Sequence, residues 1–277
     1  MNLPYRLLAV DLDGTMLSSR NTLSEGNCRA LNRACAAGVF VVPTTGRLYA
    51  GLPKELERIP GIRYCICSNG AVLYDKQTHT VLQRLCMPAQ AAADALSLLV
   101  SHGGCADVYL DGHAYTSAER YRNPLAHHVQ PEHLARFLRA RPPVEDLLTF
   151  VREKDQPVEK LFSIFEDSAE RQRCWDILTK DPRFMVTTSH RSVIEVNDRR
   201  ATKGEGLRVL SALLHIPQAA VMAAGDGLND LSMIEWAGLG VAMENAEPAV
   251  KMQADVITAP CDEDGLAKAI DRWIFSN

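Results

Sequence analysis

The sequence predicts an α/β protein whose doubly wound, mostly parallel-sheet core contains an inserted α+β cap domain. Short apolar runs alternate with helical patterns in residues 1–83 and again in residues 189–277, and such alternation is typical of a parallel sheet with helices on its faces. Residues 84–188 differ, because their helices and hairpins indicate a mostly antiparallel sheet. We therefore predict one core domain built from the two outer segments, with residues 84–188 inserted between them.

The first core segment shows the expected order of strands and helices. The apolar run at 7–10 predicts a strand buried on both faces. Ser24 is a predicted N-cap, and the helix after it is expected to end at Gly38, a residue type common just beyond helix C-termini. Two further apolar runs, at 39–42 and 64–74, predict strands of the same parallel sheet with a short helix between them.

The pattern changes in the inserted domain and then returns to that of the core. A hairpin is predicted to turn at Asp111-Gly112, a residue pair that favours tight hairpin turns. The other predicted elements are helices in MPAQAAADALSLLVSHGG and at about 131–140, a strand in VEKLFSIFE, a helix at 169–180, and a strand pair formed by FMVTTS and SVIEVN. After residue 200 helices and strands alternate again, and Asn245 and Pro248 are the predicted cap and first residue of a late helix.

Composition and charge limit the classes of function. The chain has 277 residues, 47% hydrophobic and 23% charged, with a net charge of −4 and a pI near 6.1. These values are typical of globular proteins and indicate no basic surface for nucleic acid or an anionic membrane. No apolar stretch reaches the roughly 18 residues of a membrane span, and the N-terminal apolar run is too short for a signal peptide. We therefore expect a cytoplasmic protein with reduced cysteines, no nucleic-acid or membrane partner, and no evident obligate protein partner.

The motif DLDGT (11–15) directly follows the first predicted strand. It places Asp11 and Asp13 on the same face, because strand side chains alternate. Two carboxylates side by side repel each other unless a cation joins them or one keeps its proton. The motif alone therefore indicates either a plain strand end with an Asp/Gly turn or a functional pair of carboxylates.

Two further stretches combine groups that suit an anion. In TTGR (44–47), the Thr45 hydroxyl and the backbone N–H groups around Gly46 suit phosphate oxygens. Lys203 stands at a predicted helix start, where the helix dipole disfavours a cation unless an anion lies nearby. Taken singly, TTGR also fits a plain turn and Lys203 also fits an exposed surface position.

The stretch GDGLND (225–230) is the most specific of these loops. Asp226 and Asp230 are hard oxygen donors suited to Mg²⁺ or Ca²⁺, although the spacing is not that of an EF-hand. In an open parallel sheet, the loops after the strands gather at the carboxyl edge, where ligands bind. Four carboxylates there require a divalent cation, and Mg²⁺, Lys203 and a phosphate dianion would balance the charges. We therefore predict a phosphate and metal site, with one of the two aspartates of DLDGT attacking and the other moving the proton.

The motifs DLDGT, TTGR, KG and GDGLND, in this order, resemble those of the haloacid dehalogenase superfamily. The insertion after SNGA (68–71) and the tail GVAMENAEPAVKMQADVIT (240–258) resemble its Cof-type phosphatases, which carry a large α/β cap. The resemblance covers essentially the whole chain. It implies Mg²⁺-dependent hydrolysis of a small phosphorylated metabolite, such as a sugar phosphate or similar phosphomonoester, through an aspartyl-phosphate, with the cap selecting the substrate.

The resemblance also implies a role for each motif residue. Asp11 would be the nucleophile, and Asp13 the general acid and base. The remaining implied roles are phosphate binding by Thr45, Gly46, Lys203 and Asn229, and Mg²⁺ binding by Asp11, the Asp13 backbone carbonyl and Asp226, with Asp230 supporting the metal site.

The sequence departs from the family pattern at three positions, and three alternative functions have to be considered. Thr44 stands where the family has a small residue, and Asp198 and Arg200 stand where it commonly has Pro and Gly, so no substrate identity is transferred. A phosphomutase of the same superfamily is the alternative enzyme. A non-enzymatic phospho-aspartate signalling domain needs neither an inserted cap nor Asp13. A glycosyltransferase using a D-x-D motif would leave Lys203 and GDGLND unexplained.

Overall fold

The computed structural model describes residues 3–124 and 134–276, and the chain divides into two compact units. The core unit comprises the chain as far as Arg47, the segment Leu52–Gln83 and the chain from Thr202 onward, and the inserted unit comprises Leu48–Gly51 and Arg84–Ala201. The described strands are β1 (Leu7–Val10), β2 (Phe40–Pro43), β3 (Tyr64–Cys67), β4 (Val72–Asp75), β5 (Thr80–Arg84), β6 (Cys105–Leu110), β7 (His113–Ser117), β8 (Pro143–Val144), β9 (Lys160–Ile164), β10 (Phe184–Thr187), β11 (Val193–Asp198), β12 (Val221–Gly225), β13 (Leu239–Ala242) and β14 (Val256–Ile257). The described α-helices are α1 (Glu25–Ala36), α2 (Ala89–Ser101), α3 (Ala118–Arg122), α4 (Leu134–Ala140), α5 (Leu147–Lys154), α6 (Ser168–Leu178), α7 (Lys203–Leu213), α8 (Leu231–Trp236), α9 (Pro248–Gln253) and α10 (Gly265–Ala269).

The core unit is built on a five-stranded sheet with the strand order β14-β13-β12-β1-β2. Every pair of neighbours is parallel, and β1 is fully buried along its length, as its continuous apolar run predicts. Val10 is level with Ala224 of β12 and with Pro43 of β2, so the loops after these three strands leave the sheet side by side. The predicted parallel core sheet is confirmed, and it gathers these loops at the carboxyl edge, where α/β sheets bind ligands.

Helix ends in the core unit agree with the sequence at three of four positions. Ser24 caps α1 through its hydroxyl, and Gly38 follows that helix with a φ of +86°, both as predicted. Pro248 opens α9 as predicted, but the prediction that Asn245 caps this helix is wrong. The Asn245 side chain instead donates a hydrogen bond to the Gly14 carbonyl oxygen at 2.8 Å, and so ties the loop after β13 to the turn after β1.

The apolar run at 64–74 forms two short strands rather than one strand of the parallel sheet. β3 and β4 are antiparallel and belong with β5 to a separate three-stranded sheet. The chain reverses between them because Ser68, Asn69 and Gly70 all have positive φ, at 51°, 59° and 98°. A side chain at Gly70 is also excluded by space, since its Cβ would lie 2.0 Å from the Thr202 carbonyl oxygen. The short helix predicted before this run consists of 3₁₀ turns.

The inserted unit has the predicted α+β architecture. Its six-stranded sheet has the order β10-β11-β9-β6-β7-β8, and its neighbours are antiparallel except for β7 and β8. The predicted hairpin is formed by β6 and β7, and its turn residues Asp111 and Gly112 have φ of 48° and 77°. Apolar side chains of α2, α5 and α6 pack with those of the sheet into one core.

The inserted unit ends later in the chain than predicted. The predicted end at residue 188 is wrong, since the unit continues to Ala201. β11 pairs with β9 and β10, and this pairing keeps the chain in the inserted unit as far as Ala201. Of the helix predicted at about 131–140, α4 is described, and residues 131–133 lie outside the described residues.

Two further expectations concern membrane spans and cysteines. Within residues 3–124 and 134–276, none of the helices combines the length and the apolar composition that crossing a bilayer requires. All eight cysteines lie in these ranges, and none of them forms a disulfide.

Candidate active site

The loops after β1 and β12 and the first turn of α7 bring four of the predicted residues together. Asp11 is the first residue beyond β1, where its N–H donates to the Ala224 carbonyl oxygen at 3.0 Å. Lys203 is the first residue of α7, and Asp226 and Asp230 lie in the loop after β12. Asp11 and Lys203, which are 192 positions apart in the sequence, are in direct contact.

Asp11, Asp226 and Asp230 form a group that we call the carboxylate cluster. One oxygen of each residue lies within 4.8 Å of the oxygens of the other two. Asp11 and Asp230 are buried and Asp226 is half-buried. Negative charges at this spacing repel each other strongly where water is largely excluded, so the cluster needs positive charge nearby.

Lys203 supplies one positive charge to the carboxylate cluster. Its side chain is fully buried, and Nζ donates to Oδ1 of Asp11 and to Oδ1 of Asp230, both at 2.5 Å. Burial by itself would lower the pKa of Lys203, but the charges of Asp11 and Asp230 raise this pKa above its ordinary value. The cation that the sequence places at a helix start is therefore held by two carboxylates of the protein itself.

Asp230 shapes the loop that carries Asp226. Its Oδ2 accepts hydrogen bonds from the N–H groups of Asp226 and Gly227, both at 2.9 Å. Gly225 has no room for a side chain here, since a Cβ would lie 2.5 Å from Asp230 Cγ. The Asp226 carboxylate then faces the loop after β1, where the Thr15 hydroxyl donates to its Oδ1 at 2.7 Å.

Burial changes the protonation of the carboxylate cluster. It raises the pKa of Asp11 well above its ordinary value, against the opposing charge of Lys203 and together with the neighbouring carboxylates. Burial and the charge of Asp230 raise the pKa of Asp226 to about 7. A cation bound by these oxygens would therefore have to displace protons from them.

We expect the metal-free protein to become less stable as the pH rises from about 5 to about 8. The Asp226 carboxyl has a pKa of about 7 in the folded chain against an ordinary value of 3.8, so the folded chain binds more protons in this interval. Linkage then lowers the free energy of unfolding as those protons are lost. Thermal unfolding in chelator at several pH values measures the slope, and Asp226→Asn should make it shallower. A melting temperature that rises across this interval would contradict the assignment.

The predicted phosphate-binding residues lie on two loops. Thr45 is buried just after β2, and its hydroxyl accepts a hydrogen bond from the Arg47 N–H at 3.1 Å, with Gly46 in the bend between them. Asn229, in the loop after β12, donates from Nδ2 to Oδ1 of Asn69 at 3.2 Å. The left-handed turn that contains Asn69 therefore contacts the loop of Asn229, while the role of these residues toward a phosphoryl group stays a prediction.

The Asp13 carboxylate lies outside the carboxylate cluster. β1 ends at Val10, so Asp13 lies in a turn beyond the strand, and its side chain is 48% exposed. Both of its oxygens contact the Arg47 guanidinium, with Nε donating to Oδ2 at 2.8 Å. Its predicted metal contact through the backbone carbonyl stays a prediction.

The carboxylate cluster fits a hard divalent cation. Carboxylate oxygens are the donors that Mg²⁺ prefers in proteins, and Asp11, Asp226 and Asp230 offer one each within 4.8 Å of one another. Lys203 contacts two of the three residues and supplies a single positive charge, so negative charge is in excess once the three carboxyls are ionised. Three of the four predicted metal residues therefore form a suitable donor set through their side chains.

Four residues of this region were not singled out from the sequence as parts of the site. They are Thr15, Arg47, Asn69 and Asn245. Thr15 contacts Asp226, and Arg47 contacts Asp13. Asn69 contacts Asn229, and Asn245 contacts the Gly14 carbonyl oxygen. All four lie inside the quoted motifs DLDGT, TTGR and SNGA or the C-terminal tail. Their position in the motifs was the available signal, but residue type alone does not identify a partner on another loop.

Comparisons with known proteins identify the family of this chain. A family model described as haloacid dehalogenase-like hydrolase matches residues 8–270. Phosphatase YwpJ of Bacillus subtilis is 31% identical over 280 residues, covering 95% of this chain and 97% of that protein. Pyridoxal phosphate phosphatase YbhA of Escherichia coli is 29% identical over 269 residues, covering 96% of this chain and 97% of that protein. The solved structure of a haloacid dehalogenase-like hydrolase from B. subtilis matches with a TM-score of 0.84 and 28% identity, over 97% of this chain and 100% of that chain.

The similarity extends over both units of the chain, and the two relatives named by activity are phosphatases. The resemblance that the four motifs indicate is thereby confirmed, and a non-enzymatic signalling domain is excluded. The chain belongs to the haloacid dehalogenase-like hydrolases, as a phosphoric monoester hydrolase of the Cof type with an inserted cap.

Proposed function

We propose that this phosphatase hydrolyses a small phosphorylated metabolite with Mg²⁺ as cofactor and with Asp11 as the nucleophile. The observation that carries the proposal is the buried Lys203 ammonium, which contacts Asp11 and Asp230 at 2.5 Å within the carboxylate cluster. A phosphoryl group carries negative charge toward a carboxylate nucleophile, so a fixed cation beside that nucleophile favours their approach.

The reaction has two steps. In the first, an oxygen of Asp11 attacks phosphorus, the bond from phosphorus to the leaving oxygen breaks, and Asp13 gives that oxygen a proton. In the second, Asp13 takes a proton from water, the water oxygen attacks phosphorus, and phosphate leaves as the Asp11 carboxylate is regenerated. Asp11 fits its role because its backbone is held against β12, which limits the movement of the attacking group.

The residues around Asp11 would hold the phosphoryl group. Lys203 provides the charge, and the Thr45 hydroxyl, the N–H groups around Gly46 and the Asn229 amide provide hydrogen-bond donors. Thr45 and Asn229 are themselves held by hydrogen bonds from Arg47 and to Asn69. Such support keeps donors in place before the substrate arrives.

The carboxylate cluster would hold Mg²⁺ through Asp11 and Asp226, with the Asp13 carbonyl as a further ligand. Asp230 supports this site through its bonds to the N–H groups of Asp226 and Gly227. When bound, the ion neutralises charge on the transferring phosphoryl group and orients it.

The substrate class is proposed as a sugar phosphate or a similar phosphomonoester. The name of the E. coli relative assigns pyridoxal phosphate to that protein, and the differences at Thr44, Asp198 and Arg200 leave the individual metabolite open for this chain. We further propose a reducing compartment such as the cytoplasm, because none of the eight cysteines, all in described residues, is bridged.

Phosphate release from sugar phosphates, nucleotides, pyridoxal phosphate and flavin mononucleotide should require Mg²⁺. We expect chelator to remove activity on every substrate of this panel and Mg²⁺ to restore it. Ca²⁺ should restore it poorly, because its looser coordination positions in-line transfer less well. The release of inorganic phosphate measures the reaction.

Two results of that panel would change the proposal. Full activity in excess chelator would contradict the use of the carboxylate cluster as a metal site. A strict requirement for a sugar bisphosphate, with transfer of the phosphoryl group to a second sugar instead of water, would indicate the phosphomutase alternative.

A further inference from the structure

Arg47 forms a two-point contact with the Asp13 carboxylate. Its Nε donates to Asp13 Oδ2 at 2.8 Å, and its terminal nitrogen Nη2 contacts both Asp13 Oδ1 and, at 3.3 Å, Asn21 Oδ1. The Arg47 side chain is 17% exposed, whereas that of Asp13 is 48% exposed. The more buried arginine is therefore the anchor, and the more exposed aspartate is the group that it holds.

The backbone of Arg47 is bonded to two other parts of the site. Its N–H donates to the Thr45 hydroxyl at 3.1 Å, and its carbonyl oxygen accepts from the Ser68 N–H at 2.9 Å. Ser68 begins the left-handed turn that includes Asn69. Arg47 is thus fixed between the proposed phosphate-binding loop and that turn, and its side chain reaches the loop after β1.

We infer that Arg47 is the positioning residue for Asp13, an inference that rests on the proposed role of Asp13 as general acid and base. Asp13 lies beyond the end of β1 in a turn next to Gly14, whose φ is +82°. A half-exposed aspartate there samples several rotamers unless a partner selects one. A planar guanidinium fixes both the place and the plane of a carboxylate, which an ammonium group does not do.

The contact is compatible with proton transfer by Asp13. Transfer needs one carboxylate oxygen within hydrogen-bond reach of the leaving oxygen. One of the two Arg47 contacts can open for this while the other continues to hold the carboxylate. Asn21 keeps the guanidinium in place during that change, since it accepts from the same terminal nitrogen.

Loss of Arg47 should leave the melting temperature nearly unchanged, because ion pairs with an exposed member contribute little to stability. If the contact with Asp13 were purely structural, loss of Arg47 should leave the reaction rate nearly unchanged as well. A positioning role instead predicts a loss confined to the proton transfers that use Asp13. Because a misplaced catalytic group costs about 10²-fold in rate, we expect a loss of this size.

The experiment compares Arg47→Met and Arg47→Lys on two substrates. With an alkyl phosphate such as glycerol phosphate, whose leaving group needs a proton, kcat should fall about 10²-fold for both variants. KM should change little. With p-nitrophenyl phosphate, whose phenol leaves without a proton, the rate of the first-turnover burst should be nearly unchanged. Arg63→Met is the matched control, because it removes another arginine–aspartate fork, with Asp75, in the same unit.

A double-mutant cycle with Asp13→Asn decides whether Arg47 acts through Asp13. If it does, Arg47→Met should cause no further loss of alkyl phosphate turnover in the Asp13→Asn protein. Independent losses that multiply would overturn the inference, as would a raised KM with unchanged kcat, which would assign Arg47 to substrate binding. If Asp13→Asn alone leaves alkyl phosphate turnover intact, the proposed role of Asp13 fails and the inference fails with it. If Arg47→Met does not fold, Arg47→Lys, which retains the charge, replaces it in the double-mutant cycle.

Discussion

Asp11→Asn is expected to abolish turnover, with a loss of at least about 10⁴-fold on every substrate. An amide does not attack phosphorus, so no aspartyl-phosphate forms, and the carboxylate cluster loses one of its three charged members. Asp11 is buried and directly contacted by Lys203, so a replacement side chain of the same size keeps the space filled. The effect should therefore be on the reaction and not on the fold.

Two measurements separate these effects. Acid quench during turnover of p-nitrophenyl phosphate, followed by mass analysis, should find phosphate on the Asp11 peptide of the parent and none in Asp11→Asn. In chelator, the variant should unfold at the same temperature as the parent or higher, because it relieves repulsion among buried carboxylates. Asp75→Asn changes another buried aspartate of the core unit and should keep the activity. Phosphate attached to another residue in the variant would contradict the assignment of the nucleophile.

Lys203→Met is expected to lower the free energy of unfolding by about 3–5 kcal/mol at neutral pH in chelator. The substitution leaves Asp11 and Asp230 without the buried ammonium that contacts both, and burying carboxylates without a partner is costly. Activity should fall as well, by about 10²–10³-fold, because a fixed charge near the transferring group is lost. Chemical denaturation and steady-state kinetics measure the two effects.

A control variant tests whether both effects of Lys203→Met are specific to this lysine, and one result would contradict the prediction. Lys268→Met removes an exposed lysine that pairs with Glu263 at 3.8 Å, and it should change neither stability nor activity measurably. Added Mg²⁺ should recover part of the lost stability of Lys203→Met, because a cation also compensates the remaining carboxylates. A variant as stable as its parent in chelator would show that the two carboxylates do not depend on Lys203.

Local patterns in the sequence were sufficient for most of the core fold. The continuous apolar run of β1 predicts burial on both faces, and Ser24 and Gly38 mark the ends of α1 through capping chemistry that involves only nearby residues. The alternation of strands and helices predicts the parallel sheet. Such a sheet gathers the loops after its strands at one edge, which predicts that Asp11, Asp13, Asp226 and Asp230 meet there. Three of the four carboxylates do meet, whereas that of Asp13 contacts Arg47 outside the cluster.

Local patterns failed where distant pairing decides the structure. The run at 64–74 is as apolar as a single strand, but the left-handed turn at Ser68–Gly70 divides it, and two adjacent non-glycine residues rarely adopt that conformation. The end of the inserted unit at Ala201 depends on the pairing of β11 with β9, which the composition of β11 does not indicate.

Periodicity and turn chemistry act over a few residues, so they are enough to predict which residue types stand at the carboxyl edge of the sheet. The partners of those residues become visible in the folded chain: Lys203 pairs with two carboxylates of the cluster, Arg47 with Asp13, and Thr15 with Asp226 across 211 positions of sequence. A side chain's partner depends on which loops the strand order brings together, and that order is set by the packing of the whole sheet.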